Sequence, residues 1–334
     1  METISLEHGS GGLLTARLVQ DLVYQYFDNE YLLEAHDSAC LPAPAGRLAF
    51  TTDSYVVNPL FFPGGNIGKL AVCGTVNDLS MSGARPLYLS CGLIIEAGLP
   101  ASTLEAVLAA MAEAAREAGV FIVTGDTKVV ESGAADKLFI HTAGIGEVAP
   151  QTDISGKKAL PGDIVIASGS LGDHGLAILL KRHHLQLSSA VRSDCQPLNG
   201  LVQSMLEACP DIRVLRDPTR GGAATALNEI AGQSQVGIEL YEEQVPVGRE
   251  VRAACEVLGL DPLYLANEGK LLAVVPAAAA AAIVAVMRSH PAGLDGAVIG
   301  RIINQPPGRV FMRTLTGGRR IVDMMTGDPL PRIC

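Results

Sequence analysis

Strand-length apolar runs and helical patterns succeed one another along the second half of this 334-residue chain, without a strict strand–helix–strand rhythm. An apolar strand opens this half at Asp163 to Ala167. Helical spacing follows near 175–185, 198–208, 222–232, 248–258 and 277–289, and strands fall near 236–241, 271–275, 297–303, 309–313 and 319–323. A doubly wound parallel sheet demands regular alternation, so the pattern predicts mixed α+β layers. In the first half, strand candidates at Leu87 to Ile95, Val120 to Thr124 and Lys137 to Ile145 flank one clear helix. Leu104, Val107, Leu108, Met111 and Ala115 recur there at helical spacing. Ser102 with Glu105 reads as its capping box and Gly119 as its stop. The polar stretch from Pro150 to Gly162, with Ser155, Lys157 and Lys158, marks a boundary. The expected units are 1–155, 156–323 and a tail, 324–334, in a length that suits about two domains.

The balance of charge narrows the partners. A formal net charge of −10, with no basic patch to offset it, argues against nucleic acid. An acidic protein that handles a polyphosphate needs a divalent metal to bring the charges together. Hydrophobic residues at 48% and charged residues at 18% fit a chain that folds rather than a disordered one. The seven cysteines, at 40, 73, 91, 195, 209, 255 and 334, show neither a CxxC pair nor metal-ligand spacing. Their apolar neighbours suggest reduced thiols, and all but the last read as buried or inert. Met1 to Ser5 lacks the basic and apolar regions of a secretory signal, and the run from Ala277 to Val286 is too short to span a bilayer. A cytoplasmic protein with no membrane association is expected.

Two familiar phosphate motifs fail on inspection. Gly64-Gly65-Asn66-Ile67-Gly68-Lys69-Leu70 resembles a P-loop, but its glycine spacing is short and Leu70 stands where a magnesium-binding hydroxyl belongs. Gly144-Ile145-Gly146-Glu147-Val148-Ala149 matches a dinucleotide fingerprint, yet Pro150 and a polar loop leave no helix to receive a pyrophosphate. What remains is the glycine loop Gly9-Ser10-Gly11-Gly12 ahead of a helical pattern from Leu13, whose amides are able to close on phosphate oxygens. Isolated carboxylates accompany it at the apparent mouths of apolar elements: Asp37, Asp53 after Leu48-Ala49-Phe50, Asp78 beside Asn77, and Asp126 after Gly125. One such aspartate is ordinarily a cap or turn residue. Four in one unit are able to gather Mg²⁺, which takes oxygen ligands and bridges ATP phosphates.

The ordered set is Gly9 to Gly12, Thr52-Asp53-Ser54, Gly65 to Leu70, Gly74-Thr75-Val76-Asn77-Asp78 and Gly125-Asp126-Thr127-Lys128. It continues with Gly172-Asp173-His174-Gly175, Asp217-Pro218-Thr219-Arg220-Gly221-Gly222 and Asn267-Glu268-Gly269-Lys270, and closes with Pro331-Arg332-Ile333-Cys334. Together these resemble the hydrogenase-maturation carbamoyl dehydratases, the HypE family, within the PurM-like (aminoimidazole-ribonucleotide-synthetase-like) ATP-binding superfamily. The resemblance runs from Glu7 to Cys334. Some superfamily relatives carry paired aspartates near Asp37, where this chain has His36.

The resemblance implies a PurM-like α+β fold of two domains, a mixed-sheet N-terminal one that binds ATP and dimerises and an α/β C-terminal one, followed by a flexible tail. It implies a homodimer paired through the N-terminal sheets, a carbamoyltransferase partner (HypF), and an iron-carrying HypC–HypD scaffold. It implies the reaction as well: a carbamoyl group loaded onto Cys334 is dehydrated with ATP to a thiocyanate, the source of cyanide ligands for [NiFe] hydrogenase. Removing that water requires the carbonyl oxygen to become a leaving group and two N–H protons to depart. Lys128 is the candidate cation for the oxygen and the transferred phosphoryl group. Glu268, placed before the apolar run Leu271 to Val275, is the candidate base, with Lys270 as an alternative partner that would make it a surface residue. Gly9, Ser10, Gly11, Gly12, Asp53, Asn77, Asp78, Gly125 and Asp126 are the candidate nucleotide residues, and Asp37, Asp53, Asp78 and Asp126 the candidate Mg²⁺ ligands. Arg220 faces phosphate or pairs with Asp217, and His174 organises its loop. Pro329 and Pro331 stiffen an arm that spans roughly 20 Å from Asp328 to Cys334. Two competing readings remain: a small-molecule kinase or synthetase akin to thiamine-phosphate kinase or selenophosphate synthetase, and an ATP-responsive carrier or scaffold.

Overall fold

The computed structural model describes residues 2–183 and 191–325, so Cys334 and the arm that bears it lie outside the described residues. In the first half, α1 (Leu13–Leu18), α2 (Tyr24–Tyr26) and α3 (Glu30–Leu33) form an arm that leads to β1 (Arg47–Tyr55). The short pair β2 (Phe61–Phe62) and β3 (Gly65–Asn66) precedes α4 (Ile67–Met81). Then come β4 (Ala84–Glu96), α5 (Ala101–Ala118), β5 (Phe121–Val130) and β6 (Leu138–Val148). The four long strands make one sheet in the order β1-β6-β4-β5, antiparallel except for the β4–β5 pair.

Helix α4 was not visible as a helix in the sequence. Nearly all of its residues are buried, so it carries no polar face and no 3.6-residue alternation. It packs between the sheet and α5, with Leu70, Cys73 and Val76 in one core with Leu104, Val107, Leu108 and Met111. Each such buried aliphatic contributes about 1.5–3 kcal/mol. Close approach depends on Gly68, where an added Cβ would lie 2.4 Å from the Val107 carbonyl. Helix α5 ends as expected, with Gly119 in the left-handed conformation at φ 69°. Its start differs from the expected capping box. Pro100 occupies the cap position with extended backbone and Ser102 lies inside the first turn, so no side chain caps this end.

The two helices cover one face of the sheet and leave much of the other open. Phe50 is 66% exposed, Leu48 60% and Phe121 51%. Register places Phe50 opposite Ile145, Ile145 opposite Tyr88, and Tyr88 opposite Phe121, an apolar row across all four strands. Tyr31 of the arm packs edge-on against Tyr88 at 5.4 Å and covers only the β5 end of that row.

The second half comprises β7 (Ile164–Ala167), α6 (Asp173–Arg182), α7 (Asn199–Ala208), β8 (Val214–Arg216), α8 (Gly222–Ser234), β9 (Gly237–Tyr241) and α9 (Arg249–Leu258). It finishes with β10 (Leu272–Val275), α10 (Ala280–Ser289), β11 (Ala297–Ile303), β12 (Arg309–Arg313) and β13 (Arg319–Ile321). Seven strands form a mixed sheet in the order β13-β12-β9-β11-β7-β10-β8, parallel only at β9–β12. Helices α7 and α10 pack on one face through Leu201, Met205, Ile283 and Met287, and α8 on the other through Ala223, Leu227 and Ile230. The mixed α+β reading holds, and each strand and helix expected in this half is present; among the described strands, β8 was unforeseen. Among the described residues no helix is long and apolar enough to cross a membrane.

Candidate functional site

Asp53 and Asp126 do not end strands and Asp78 does not end a helix; all three lie inside regular elements. Alternation along β1 turns Thr51, Asp53 and Tyr55 toward the covered face of the sheet. There the Thr51 hydroxyl donates to Asp78 Oδ2 of α4 at 3.0 Å. Gly74, one turn earlier on α4, admits the Tyr55 ring: an added Cβ would lie 2.3 Å from its hydroxyl oxygen. The loop after β8 supplies Asp217 and Arg220, and Arg220 reaches Asp53 at 3.6 Å rather than Asp217. The loop before β10 adds Glu268, which is buried.

The proton affinities of Asp78, Asp217 and Glu268 are all raised. Burial pushes Asp78 up to about 7, and the charges of Asp217 and Asp53 push the same way, against the Thr51 hydrogen bond and Arg216. Burial likewise raises Asp217. It lifts Glu268 well above the usual carboxylate range, with Cys195, Asp194, Asp217 and Asp53 adding to the effect. The donor chemistry suits a hard divalent cation: the side chains offer oxygen ligands only, and a cation would offset the charges of Asp217 and Asp53 that act on Asp78. Among the described residues no preformed cluster of three or more metal-binding side chains is present. Mg²⁺ needs only one or two carboxylates beside phosphate and water.

Asn77, one of the expected nucleotide residues, is bonded within the protein. It is 2% exposed, and its Nδ2 donates to the carbonyls of Gln196 at 3.1 Å and Glu268 at 3.2 Å, while Oδ1 accepts the Leu198 N–H at 2.8 Å. Every polar atom of the side chain is spent clamping α4 to the second half of the chain. Asn267 ties loops together within the second half, accepting the Gly172 N–H and donating to the carbonyls of Pro218 and Leu265. His174, expected to organise its own loop, lies in the first turn of α6 instead: it is fully buried, bonded through Nδ1 to Ser193 at 2.7 Å, and burial lowers its pKa to about 3. Lys270 does not pair with Glu268; it stands 4.0 Å from Asp194.

The other expected residues gather at the opposite edge of the sheet. Ser54, His141, Gly92 and Asp126 share one cross-strand row, so Asp126 points to the open face while Asp53 points to the covered one. Lys128, two residues on, is exposed on that same face. The glycine loop lies against this strand. Gly9 has no room for a side chain, since a Cβ would sit 2.6 Å from the Val129 nitrogen. Gly12 caps α1, and the Gly11 N–H is already bonded to the Thr15 hydroxyl at 2.9 Å. Beside Gly125 and Asp126 opens a cavity of about 240 Å³, walled by Tyr24, Phe27 and Tyr31 of the arm. Asp37 lies in an exposed bend after that arm, and among the described residues it joins no group of three or more metal-binding side chains. Within one chain, the four expected metal ligands therefore do not converge. Cys40 is also exposed, unlike the five other described cysteines.

Both rejected motifs are accounted for. Asn66 Oδ1 accepts the Gly68 and Lys69 amides at 2.9 and 3.0 Å, so the start of α4 is closed by its own side chain. Gly144 to Val148 forms the last part of β6, with no helix following it directly.

A two-domain α+β fold, with an acid cluster where its halves meet and a glycine loop against β5, defines an AIR synthase related protein. Residues 35–148 match the N-terminal domain of AIR synthase related proteins, and 161–313 match the C-terminal domain. The carbamoyl dehydratase HypE of Cupriavidus necator is 53% identical over 332 residues, covering 99% of this chain and 95% of that protein. A crystal structure of the hydrogenase maturation protein HypE in complex with ATP is 54% identical, covers 99% of this chain and 100% of its own, and superposes with a TM-score of 0.96. A chain from a HypE–HypF complex is 49% identical, covers 92% of this chain and 99% of its own, and gives a TM-score of 0.82. Within the AIR synthase related proteins, the chain belongs to the carbamoyl dehydratase HypE family of enzymes.

Proposed function

We propose that the protein dehydrates a carbamoyl group carried on its own Cys334, using ATP, in [NiFe] hydrogenase maturation. The balance is R–S–C(=O)–NH₂ plus ATP giving R–S–C≡N, ADP and phosphate: the carbonyl oxygen leaves in the phosphate and the nitrogen gives up both protons. One observation carries this reading. Glu268 is buried among other acids, and burial holds its proton affinity high, as a base for a weakly acidic N–H requires. Lys128 stabilises the oxygen as it is phosphorylated. Asp53 and Asp78 hold Mg²⁺, which when bound neutralises the triphosphate. The glycine loop, Gly125 and Asp126 position the nucleotide at the cavity beneath the arm. The carbamoyl donor is HypF, in keeping with the solved HypE–HypF complex, and the cyanide passes to an iron-bearing HypC–HypD scaffold.

The active form is a homodimer joined through the open sheet faces, whose exposed Leu48, Phe50 and Phe121 mark an interaction surface. A two-fold axis along the strands lays the β1 edge of one protomer over the β5 edge of its partner. The β1 edge that carries Asp53 then lies beside the β5 edge that carries Asp126 and Lys128 of the other copy, and each site draws on both protomers. Units of 1–155 and 156–323 divide these roles, the first binding nucleotide and partner copy, the second contributing Glu268. The test is intact-mass analysis of the carbamoylated full chain given Mg²⁺ and ATP. Loss of about one water, mapped to Cys334, is expected. Glu268→Gln retains carbamoylation and blocks that loss. An unchanged mass in the parent protein, or normal turnover in the variant, refutes the assignment.

A further inference from the structure

Glu268 stands on a loop, and a loop carboxylate keeps a productive geometry only if its backbone is fixed by neighbours. The grip comes from Asp194, on the segment that enters α7. The Asp194 side chain is 3% exposed, and its Oδ1 accepts the Glu268 N–H at 3.1 Å. Its counter-charge is Lys270, itself only 12% exposed, at 4.0 Å from Oδ2. The two backbones touch directly between these residues: an added Cβ at Gly269 would lie 1.8 Å from the Asp194 carbonyl oxygen. Gln196 Nε2 donates to the Gly269 carbonyl at 3.1 Å and Asn77 Nδ2 to the Glu268 carbonyl at 3.2 Å. Glu268 is thus held at its amide by Asp194 and at its carbonyl by Asn77. A buried carboxylate is costly unless paired and hydrogen-bonded, and among the described residues the groups that offset this one belong to the Glu268–Lys270 loop or its own segment, while Oδ2 accepts no hydrogen bond.

We infer that Asp194 is a positioning residue for the dehydration: its buried carboxylate, balanced by Lys270, fixes the Glu268 backbone so that the Glu268 carboxyl meets the carbamoyl nitrogen. The inference rests on the reading of Glu268 as the base. The role of Asp194 is exerted through the Glu268 backbone, which it contacts directly.

The experiment is single-turnover conversion of the carbamoylated full-length dimer with Mg²⁺-ATP, followed by intact mass, for Asp194→Ala, Asp194→Asn and Glu268→Gln in parallel. A displacement of the base of about 1 Å costs on the order of 10²-fold in rate. Asp194→Ala is therefore expected to lose about that factor in kcat with KM for ATP unchanged. Asp194→Asn keeps an oxygen for the Glu268 N–H and recovers most of the rate. An alanine variant with parental kcat, or an asparagine variant as impaired as the alanine one, overturns the inference. If the alanine variant does not fold, Lys270→Gln decides: a lower kcat at constant KM supports the positioning role, and parental kcat overturns it. Normal turnover by Glu268→Gln sinks the reading of the base itself. An inactive Glu268→Gln beside a fully active Asp194→Ala sinks only the inference about Asp194.

Discussion

Replacing Asn77 tests how the two halves of the chain are held together. Asn77→Ala deletes two donated bonds and one accepted bond, all reaching segments more than a hundred residues away. The Leu198 N–H and the carbonyls of Gln196 and Glu268 lose a partner in the interior. A buried polar group left unpaired costs about 1–3 kcal/mol, and carbonyls tolerate the loss better than amides. The expected destabilisation is about 3–5 kcal/mol. Asn77→Asp separates hydrogen bonding from volume: it keeps the acceptor for Leu198 but turns a carboxylate oxygen toward two carbonyls, and is expected to lose at least as much. Urea denaturation at fixed protein concentration measures the loss, with hydrogen exchange at the Leu198 amide as a local probe. ATP affinity of the folded variants is expected to stay within about threefold, under ~0.7 kcal/mol, because both polar atoms of the side chain are bonded to the protein itself. An alanine variant within about 1 kcal/mol of the parent, or a stable Asn77→Asp, refutes the clamp.

The acid cluster makes stability depend on pH. The Asp78 carboxyl holds its proton to about 7 when folded, against an ordinary value near 3.8, so the native state binds more protons between these values. Stability in EDTA therefore falls as pH rises from 5 to 8, and Asp78→Asn flattens the curve and raises Tm at pH 8. Added Mg²⁺ should stabilise the parent more at pH 8 than at pH 5, and a Tm independent of both pH and Mg²⁺ counts against the cluster. At the open sheet face, Phe50→Glu places a charge in the apolar row and is expected to yield monomers by analytical ultracentrifugation while preserving the circular dichroism spectrum. A dimer of parental affinity would rule that face out as the interface. Each such monomer is expected to bind ATP more weakly and to dehydrate nothing; a fully active monomer would show that one chain holds a whole site.

Much of the second half was legible because its helices are amphipathic: α7 buries Leu201, Val202 and Met205 and leaves Gln203 and Glu207 in water. Helix α4 was hidden by its complete burial, which removes the alternation that sequence patterns rely on. The chemical identities of Asp53, Asp78, Asp126 and Glu268 were readable from their motifs, but their arrangement was not. The face that Asp53 or Asp126 points to is set by strand register, and register depends on partners far away in the chain. Asn77 and Asp194 show the converse difficulty. Polar residues beside a site look like ligands or go unnoticed, and only the three-dimensional contacts reveal that both serve the backbone around Glu268.

The placement of Asp53 and Asp126 on opposite edges and opposite faces of one sheet has a genetic consequence. If each site draws on both protomers, a chain crippled at Asp53 and a chain crippled at Asp126 are not equally hopeless together. In a mixed pair, one site collects both lesions and the other collects none. Random reassortment of the two inactive chains should then rescue about a quarter of the sites, in a mixture whose separate ingredients are dead.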